Sequence, residues 1–407
     1  MPRRTRVIGA VCAAAAALTV SAAAPAHPAH AARTPAAAPD TMNETATDTR
    51  TYDDTRRILR RLTTADGAPG ALAEVDVRHH GRTAMTSGVA DVTTRAPMAP
   101  DSRFRVGSMT KTFTATVVLQ LVGEHRVALD APVERYLPGL IRGNGNDGRD
   151  ITVRQLLQQT SGLPDFLEHL TPQRVIEHPF THYDPEDLVG LALDHPRQFE
   201  PGTEWKYSNT NYIVAGMLIE KVTGKPYGTE IERRVLQPLG LHDTSVPGDD
   251  PRIPGTHPRG YVKPPGSGLL DRTRYNPSVG GAAGGMISSG RDINRFLGAL
   301  LEGRLLHPAE MRAMMTTRPT GNPNGRAYGL GLESLPLRCG GLFWGHTGDS
   351  LGFQTAAGAT KDGRRVTAMA NLDPGGTEAQ DDDMDALVTT ALCEAEATKG
   401  HAHGHGH

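Results

Sequence analysis

Arg105-Val106-Gly107-Ser108-Met109-Thr110-Lys111-Thr112-Phe113-Thr114 is the stretch on which the rest of the chain depends. A short apolar approach stops at a glycine. Ser108 then opens a segment carrying Met109, Phe113, Val117, Leu121 and Val122 at helical spacing. That spacing predicts an amphipathic helix with one face in a core, ending near Gly123. Residues three apart share a helix face, so Ser108 and Lys111 are predicted to point into one site. A buried lysine lowers the cost of an alkoxide or relays its proton, and free N–H groups at a helix N-terminus favour negative charge. Ser-x-x-Lys therefore reads as a nucleophile with its activator. The same spacing suits a plain N-cap serine, so the motif needs company elsewhere in the chain.

The chain has 407 residues, enough for a large core, and a formal net charge of −2. Such a balance gives no attraction for nucleic acid or an anionic membrane. The start is distinctive: Arg3, Arg4 and Arg6, an apolar run from Val7 to Val20, and a small-x-small site at Ala29-His30-Ala31. This is the pattern of a secretory signal peptide over residues 1–31, cleaved after about Ala31. No later run reaches ~20 consecutive apolar residues, so a secreted protein without a membrane anchor is expected. Cys12 falls in the signal, leaving Cys339 and Cys393. An even count in an oxidising compartment fits a disulfide tying a late strand to the C-terminal helix; two free thiols are the alternative.

Residues 32–50, rich in Ala, Pro, Thr and Asp, read as a disordered leader. Tyr52 to Thr64 reads as a helix. Ala71 to Val77 alternates, His80-Gly81 turns, and Thr83 to Val89 returns, which predicts a hairpin. From about 130 to 275, Pro and Gly punctuate short helical segments: Thr152 to Gln159, Pro185 to Leu193 and Asn211 to Val222. Strands return as Tyr328 to Glu333, Leu342 to His346, Gly352 to Gly358 and Arg364 to Asn371, before a helix from Asp381 to Cys393. The expected fold is α+β, an antiparallel sheet built from both chain ends and flanked by helices, with a mostly helical inserted lobe. The domain spans 51–395, followed by a flexible His-rich tail, 396–407.

Two further clusters bear chemistry. Tyr207-Ser208-Asn209 stands before an amphipathic run, Ile213, Val214, Met217, Leu218 and Val222. Tyr207 and Asn209, two apart on an extended approach, are predicted to face one cleft. A tyrosine beside a cationic lysine has a depressed pKa and suits a general base. Trp344-Gly345-His346-Thr347-Gly348-Asp349-Ser350 lies between two expected strands, where glycines let a substrate pair with the backbone.

With Ser108-Met109-Thr110-Lys111, Tyr207-Ser208-Asn209 and His346-Thr347-Gly348 in this order, the chain resembles the serine penicillin-recognising hydrolases. It is most similar to secreted D-alanyl-D-alanine carboxypeptidases and class C β-lactamases. The resemblance runs from about 66 to 394 and includes Tyr328-Gly-Leu-Gly-Leu332 and the paired Cys339 and Cys393. It implies a β-lactamase/DD-peptidase-like fold and an acyl-enzyme on Ser108. It also implies proton transfer by Lys111 and Tyr207, with the choice of base left open. Asn209 would orient the acyl side, the backbone N–H groups of Ser108 and Asp349 would form the oxyanion hole, and His346, Thr347 and Gly348 would line the substrate edge. No metal or other cofactor is implied. The implied partners are peptide or peptidoglycan-derived substrates and β-lactams, and a monomer is expected.

One departure bears on specificity. Where the carboxypeptidases receive a free carboxylate with an arginine and a hydroxyl, this chain has Glu333 and Asp349. Like charges repel most in a poorly hydrated cleft, so a D-stereospecific endopeptidase, amidase or esterase becomes the alternative to a carboxypeptidase. Arg326 or Arg338 supplying the missing cation, a small shift of alignment, or a solvated Glu333 would restore the carboxypeptidase reading. A non-catalytic penicillin-binding sensor on the same fold is the alternative from another class. Gly348-Asp349-Ser350-Leu351-Gly352 offers a rival serine, but its flanks read as strands on both sides, whereas a nucleophile elbow needs a helix after it.

Overall fold

The structure, a computed structural model, describes residues 52–401. The expected signal peptide at 1–31, the leader at 32–50 and residues 402–407 of the tail lie outside the described residues.

Alternating apolar residues at both ends of the chain meet in one eight-stranded sheet. Its strands are β1 (Gly70–Val77), β2 (Gly81–Gly88), β3 (Arg318–Pro319), β4 (Ala327–Tyr328), β5 (Glu333–Pro336), β6 (Leu342–Ser350), β7 (Phe353–Ala359) and β8 (Arg364–Ala370). They lie in the order β2–β1–β8–β7–β6–β5–β4–β3, and every neighbouring pair is antiparallel. The early hairpin joins the late strands through β1 and β8, with Ala71 opposite Ala370 and Val77 opposite Arg364.

Of five long helices, α1 (Asp53–Thr64), α2 (Thr110–Gly123), α3 (Thr210–Thr223), α4 (Gly290–Leu301) and α5 (Glu378–His401), four pack on the sheet and α3 packs on α2. Successive strand residues point to opposite faces, and the cores divide accordingly. Ala71, Ala73, Val75, Val366 and Ala368 meet Leu59 and Leu62 of α1 and Leu387, Val388 and Ala391 of α5. Leu72 and Met369 meet the other core, in which the rings of Phe113 on α2 and Phe296 on α4 stack 3.7 Å apart. Each such buried side chain contributes about 1.5–3 kcal/mol. A ribbon pairing Arg103–Arg105 with Ile287–Ser289 closes the base of the long excursion between them, which is mostly helical.

Several expectations are corrected. Ser108 sits in a single 3₁₀ turn, Gly107–Met109, ahead of α2, and α2 is buried all round rather than along one face. Its threonines make that burial tolerable: Thr114 Oγ1 donates to the Ala282 carbonyl at 2.8 Å and Thr116 Oγ1 to the Thr112 carbonyl at 2.7 Å. Tyr328 to Glu333 is not one strand. It is the turn between β4 and β5, where Gly331 adopts φ +74° and a Cβ would lie 2.5 Å from Ala115 Cβ on α2. The His346 cluster lies inside β6, not between strands. Glycine is needed there because a Cβ at Gly345 would lie 1.9 Å from the Ala357 carbonyl oxygen of β7.

The last helix, expected to stop near Cys393, continues to His401. Cys339 and Cys393 form a disulfide across 54 residues, tying the β5–β6 turn to α5. Closing a loop of that length stabilises the fold on the order of 4 kcal/mol in the loop-entropy picture. Among the described residues no helix is long and apolar enough to cross a membrane.

Candidate active site

The turn before α2 places Ser108 at the floor of a cleft of about 500 Å³, bounded by the helical lobe on one side and by β6 on the other. Lys111, one helical turn on, is fully buried beneath it. Lys111 Nζ lies 2.9 Å from Ser108 Oγ, 2.7 Å from Asn209 Oδ1 and 2.8 Å from the Ala283 carbonyl oxygen. Burial is the main cause of its pKa falling to about 7, against the opposing pull of Asp165, Asp349 and Glu333. A neutral amine in this position donates to Asn209 and Ala283 and turns its lone pair toward the Ser108 hydroxyl.

Tyr207 and Asn209 reach the cleft from a loop, not an extended strand; Asn209 already has helical backbone angles at the start of α3. Gln159 holds that loop. Its left-handed backbone, φ +63°, aims Oε1 at the Ser208 N–H (3.0 Å) and Asn211 Nδ2 (2.6 Å). Asn209 lines the cleft, but its amide is occupied by Lys111 and, through Nδ2, by Asp165 Oδ2 at 2.8 Å.

The expected depression of the Tyr207 pKa is reversed. Loss of water raises it well above the ordinary value, and Glu333, Asp165 and Asp349 push the same way, opposed by a hydrogen bond with Ser108. A lysine near neutrality cannot outweigh three carboxylates. The phenol therefore stays protonated and suits a proton donor to the leaving group, while Lys111 suits the base. Tyr207→Phe is expected to lower kcat for amide hydrolysis about 10²–10³-fold, the range of a lost general acid, with thermal stability retained. Matched kinetics and melting curves check this.

On the opposite wall, β6 outruns β5 after Gly345, so residues 346–350 keep one edge free. That edge meets the Ser108 turn at contact. A Cβ at Gly348 would lie 2.1 Å from the Val106 carbonyl oxygen and 3.0 Å from the Ser108 nitrogen, and one at Gly107 would lie 2.7 Å from the Asp349 nitrogen. These two glycines bring the Ser108 and Asp349 amides together, the pair implied for the oxyanion hole.

Thr347 lines the cleft, but His346 does not. His346 is buried, and burial with the Lys111 charge lowers its pKa to about 3. As a neutral ring it donates from Nδ1 to the Thr347 carbonyl (2.6 Å) and accepts at Nε2 from the Tyr328 hydroxyl (3.0 Å). Its place is behind the wall, orienting β6, rather than against substrate.

Glu333 also lines the cleft, only 6 % exposed, so it is not a solvated strand-end carboxylate. Arg326 pairs with it and, at 2.7 Å, with Asp385, and does not itself line the cleft. Arg338 lies on the exposed surface away from the cleft lining. Among the described residues no lysine or arginine lines the cleft. Ser350 ends β6 before a tight turn into antiparallel β7, and its hydroxyl donates to the Phe353 carbonyl at 3.4 Å with no base beside it. Asp165 and the Ala283 carbonyl are site members that sequence reasoning missed. Asp165 also accepts from the Leu167 N–H, and nothing in its sequence setting separates it from an ordinary cap. No group of three or more His, Cys, Asp or Glu among the described residues is arranged to hold a metal ion.

The Beta-lactamase family model matches residues 55–391. The chain belongs to the beta-lactamase family. As a beta-lactamase-family serine hydrolase it is similar to a D-stereospecific amidohydrolase from Streptomyces sp., with 42% identity over 82% of this chain and 97% of that one, at a TM-score of 0.76. It is similar also to the D-amino acid amidase of Ochrobactrum anthropi SV3 solved with L-phenylalanine amide: 30% identity, 87% and 100% coverage, TM-score 0.73. Penicillin-binding protein 4* of Bacillus subtilis (strain 168) is 28% identical over 66% of this chain, which spans 60% of that relative's length.

Proposed function

We propose that the protein hydrolyses amides of D-amino acids or D-peptides whose leaving side carries no free carboxylate. Ser108 attacks the carbonyl as Lys111 takes its proton, and the Ser108 and Asp349 amides hold the oxyanion. Tyr207, hydrogen-bonded to Ser108, hands a proton to the departing nitrogen, and water then releases the acyl group. The observation that carries this reading is the leaving-side wall. Glu333 and Asp349 line it with no lysine or arginine among the described residues that do so. The D-Ala-D-Ala carboxypeptidase expected first has less support, because a carboxylate would enter against like charge. The D-amide specificity named for the Streptomyces and Ochrobactrum structures supports the same choice. The signal-like residues 1–31 support export, and peptides derived from the cell wall fit an exported D-amidase.

The test compares a peptide ending in D-Ala-D-Ala with its C-terminal amide, and D- with L-phenylalaninamide, using Ser108→Ala as control. The amide and the D-enantiomer are expected to turn over faster. Faster cleavage of the free acid would return the protein to the carboxypeptidases.

A further inference from the structure

We propose that Asp165 is a positioning residue for acylation: it fixes which way round the Asn209 amide sits, and so keeps the lone pair of Lys111 free for Ser108. The proposal rests on Lys111 as the base in the function proposed above, and adds the group that keeps that base available.

Asp165 is buried, 7 % exposed, just before the turn Phe166–Glu168. Its Oδ1 accepts from the Leu167 N–H at 3.0 Å, and its Oδ2 accepts from Asn209 Nδ2 at 2.8 Å. The first bond alone would be an ordinary cap. The second joins two segments that other bonds already fasten. The Phe166 N–H donates to Thr210 Oγ1 at 3.1 Å, and the hydroxyls of Thr210 and Ser208 donate to the Pro164 carbonyl at 2.7 and 3.1 Å. What the carboxylate adds is a direction for the amide.

A carboxylate accepts hydrogen bonds and donates none, so it faces only the NH₂ end of an amide. With Nδ2 toward Asp165, Oδ1 must face Lys111, and it accepts from Nζ at 2.7 Å. The Ala283 carbonyl accepts a second Nζ–H at 2.8 Å. A neutral amine has two N–H groups and one lone pair. Both N–H groups are then placed, and the lone pair is left for Ser108 Oγ at 2.9 Å. The hydroxyl proton can pass to Nζ while Oγ bonds the substrate carbonyl carbon. Turned end for end, Asn209 would donate its own N–H to that lone pair, and the serine would lose its base.

The isosteric change Asp165→Asn makes this testable, because the Leu167 N–H is a fixed donor. It claims the new carbonyl oxygen, so the new NH₂ faces Asn209 and forces that amide to turn round. Asp165→Ala leaves Asn209 free to take either orientation. Orientation therefore predicts an unusual order, with the isostere the worse variant, whereas a structural carboxylate predicts that the isostere is the milder one.

Release of p-nitrophenol from p-nitrophenyl acetate reads acylation without reference to the natural substrate. Asp165→Asn is expected to lower kcat about 10²-fold and Asp165→Ala about tenfold, the scale of a misdirected catalytic group. Melting curves confirm folding. Adding Asn209→Asp to Asp165→Asn restores an acceptor on both sides, so the rate should recover, at alkaline pH because a carboxylate against Lys111 raises its pKa. An isostere no slower than Asp165→Ala, or a rate that Asn209→Asp lowers further, overturns the proposal. The readings above it are tested apart. Lys111→Met with full ester turnover would retire the base and this proposal together. Failure to cleave D-phenylalaninamide would retire the amidase reading and leave the ester results standing.

Discussion

Ser108→Ala is expected to lower amide turnover on the order of 10⁴-fold or more, the effect seen when an activated nucleophile is removed, while Ser350→Ala leaves it within a few-fold. The two serines line the same cleft, so position alone does not separate them. Their partners do. Ser108 Oγ has a near-neutral amine at 2.9 Å and a phenol on its other side, and its own N–H adjoins that of Asp349. Ser350 has a carbonyl oxygen for company, which takes its proton in a hydrogen bond and cannot remove it. A hydroxyl without an activating base is a poor nucleophile whatever motif surrounds it. Kinetics of both variants on one amide substrate, with melting curves to confirm folding, decide the matter. Activity retained in Ser108→Ala and lost in Ser350→Ala would move the nucleophile to the β6–β7 turn.

The fold was legible wherever a pattern had a period. Alternation in Ala71 to Val77 marked β1, and Pro185 to Leu193 was bounded correctly because a proline opens that helix and Asp194 ends it. Periodicity failed where burial is complete. An element surrounded by protein has no polar face, so the spacing predicts a half-buried α2, whereas Thr114 and Thr116 find hydrogen-bond partners inside the core. It failed again where glycine permits contact rather than flexibility. Gly331 turns against α2 and Gly329 against the Met314 carbonyl, whereas Gly345 and Gly348 sit in a continuous strand pressed on its neighbours, and composition does not tell these cases apart.

The site divides in the same way. The nucleophile and its lysine are three residues apart, so their meeting follows from helix geometry. Direction of facing and charge state are long-range quantities. His346 turns to Tyr328, eighteen residues away in sequence, and the upward shift of Tyr207 comes from its burial first and then from Glu333, Asp165 and Asp349 on three separate segments. A tripeptide motif names the residues and leaves their protonation to the rest of the chain.

Protonation of Lys111 gives the second large expected effect. If the neutral amine is the base, kcat/KM rises with pH through about 7, where Lys111 loses its proton. Lys111→Met, which keeps the stem and removes the nitrogen, should lower turnover on the order of 10⁴-fold, about as much as losing the serine, because the two act as a unit. Stability carries the matching sign. The folded pKa lies below the ordinary lysine value of 10.5, so between about 7 and 10.5 the unfolded chain binds more protons and stability rises with pH. Below 7 both states are protonated and the cost of the buried charge is present in full. Asp349 is exposed, yet desolvation first and then Asp381 and Glu333 raise it to about 6, so it imitates the rise of kcat/KM and not the stability limb, where a raised carboxyl has the opposite sign. Asp349→Asn separates the two groups: a rise that persists belongs to the lysine, and one that vanishes would make the carboxylate the controlling group and leave Lys111 a fixed cation beside the serine.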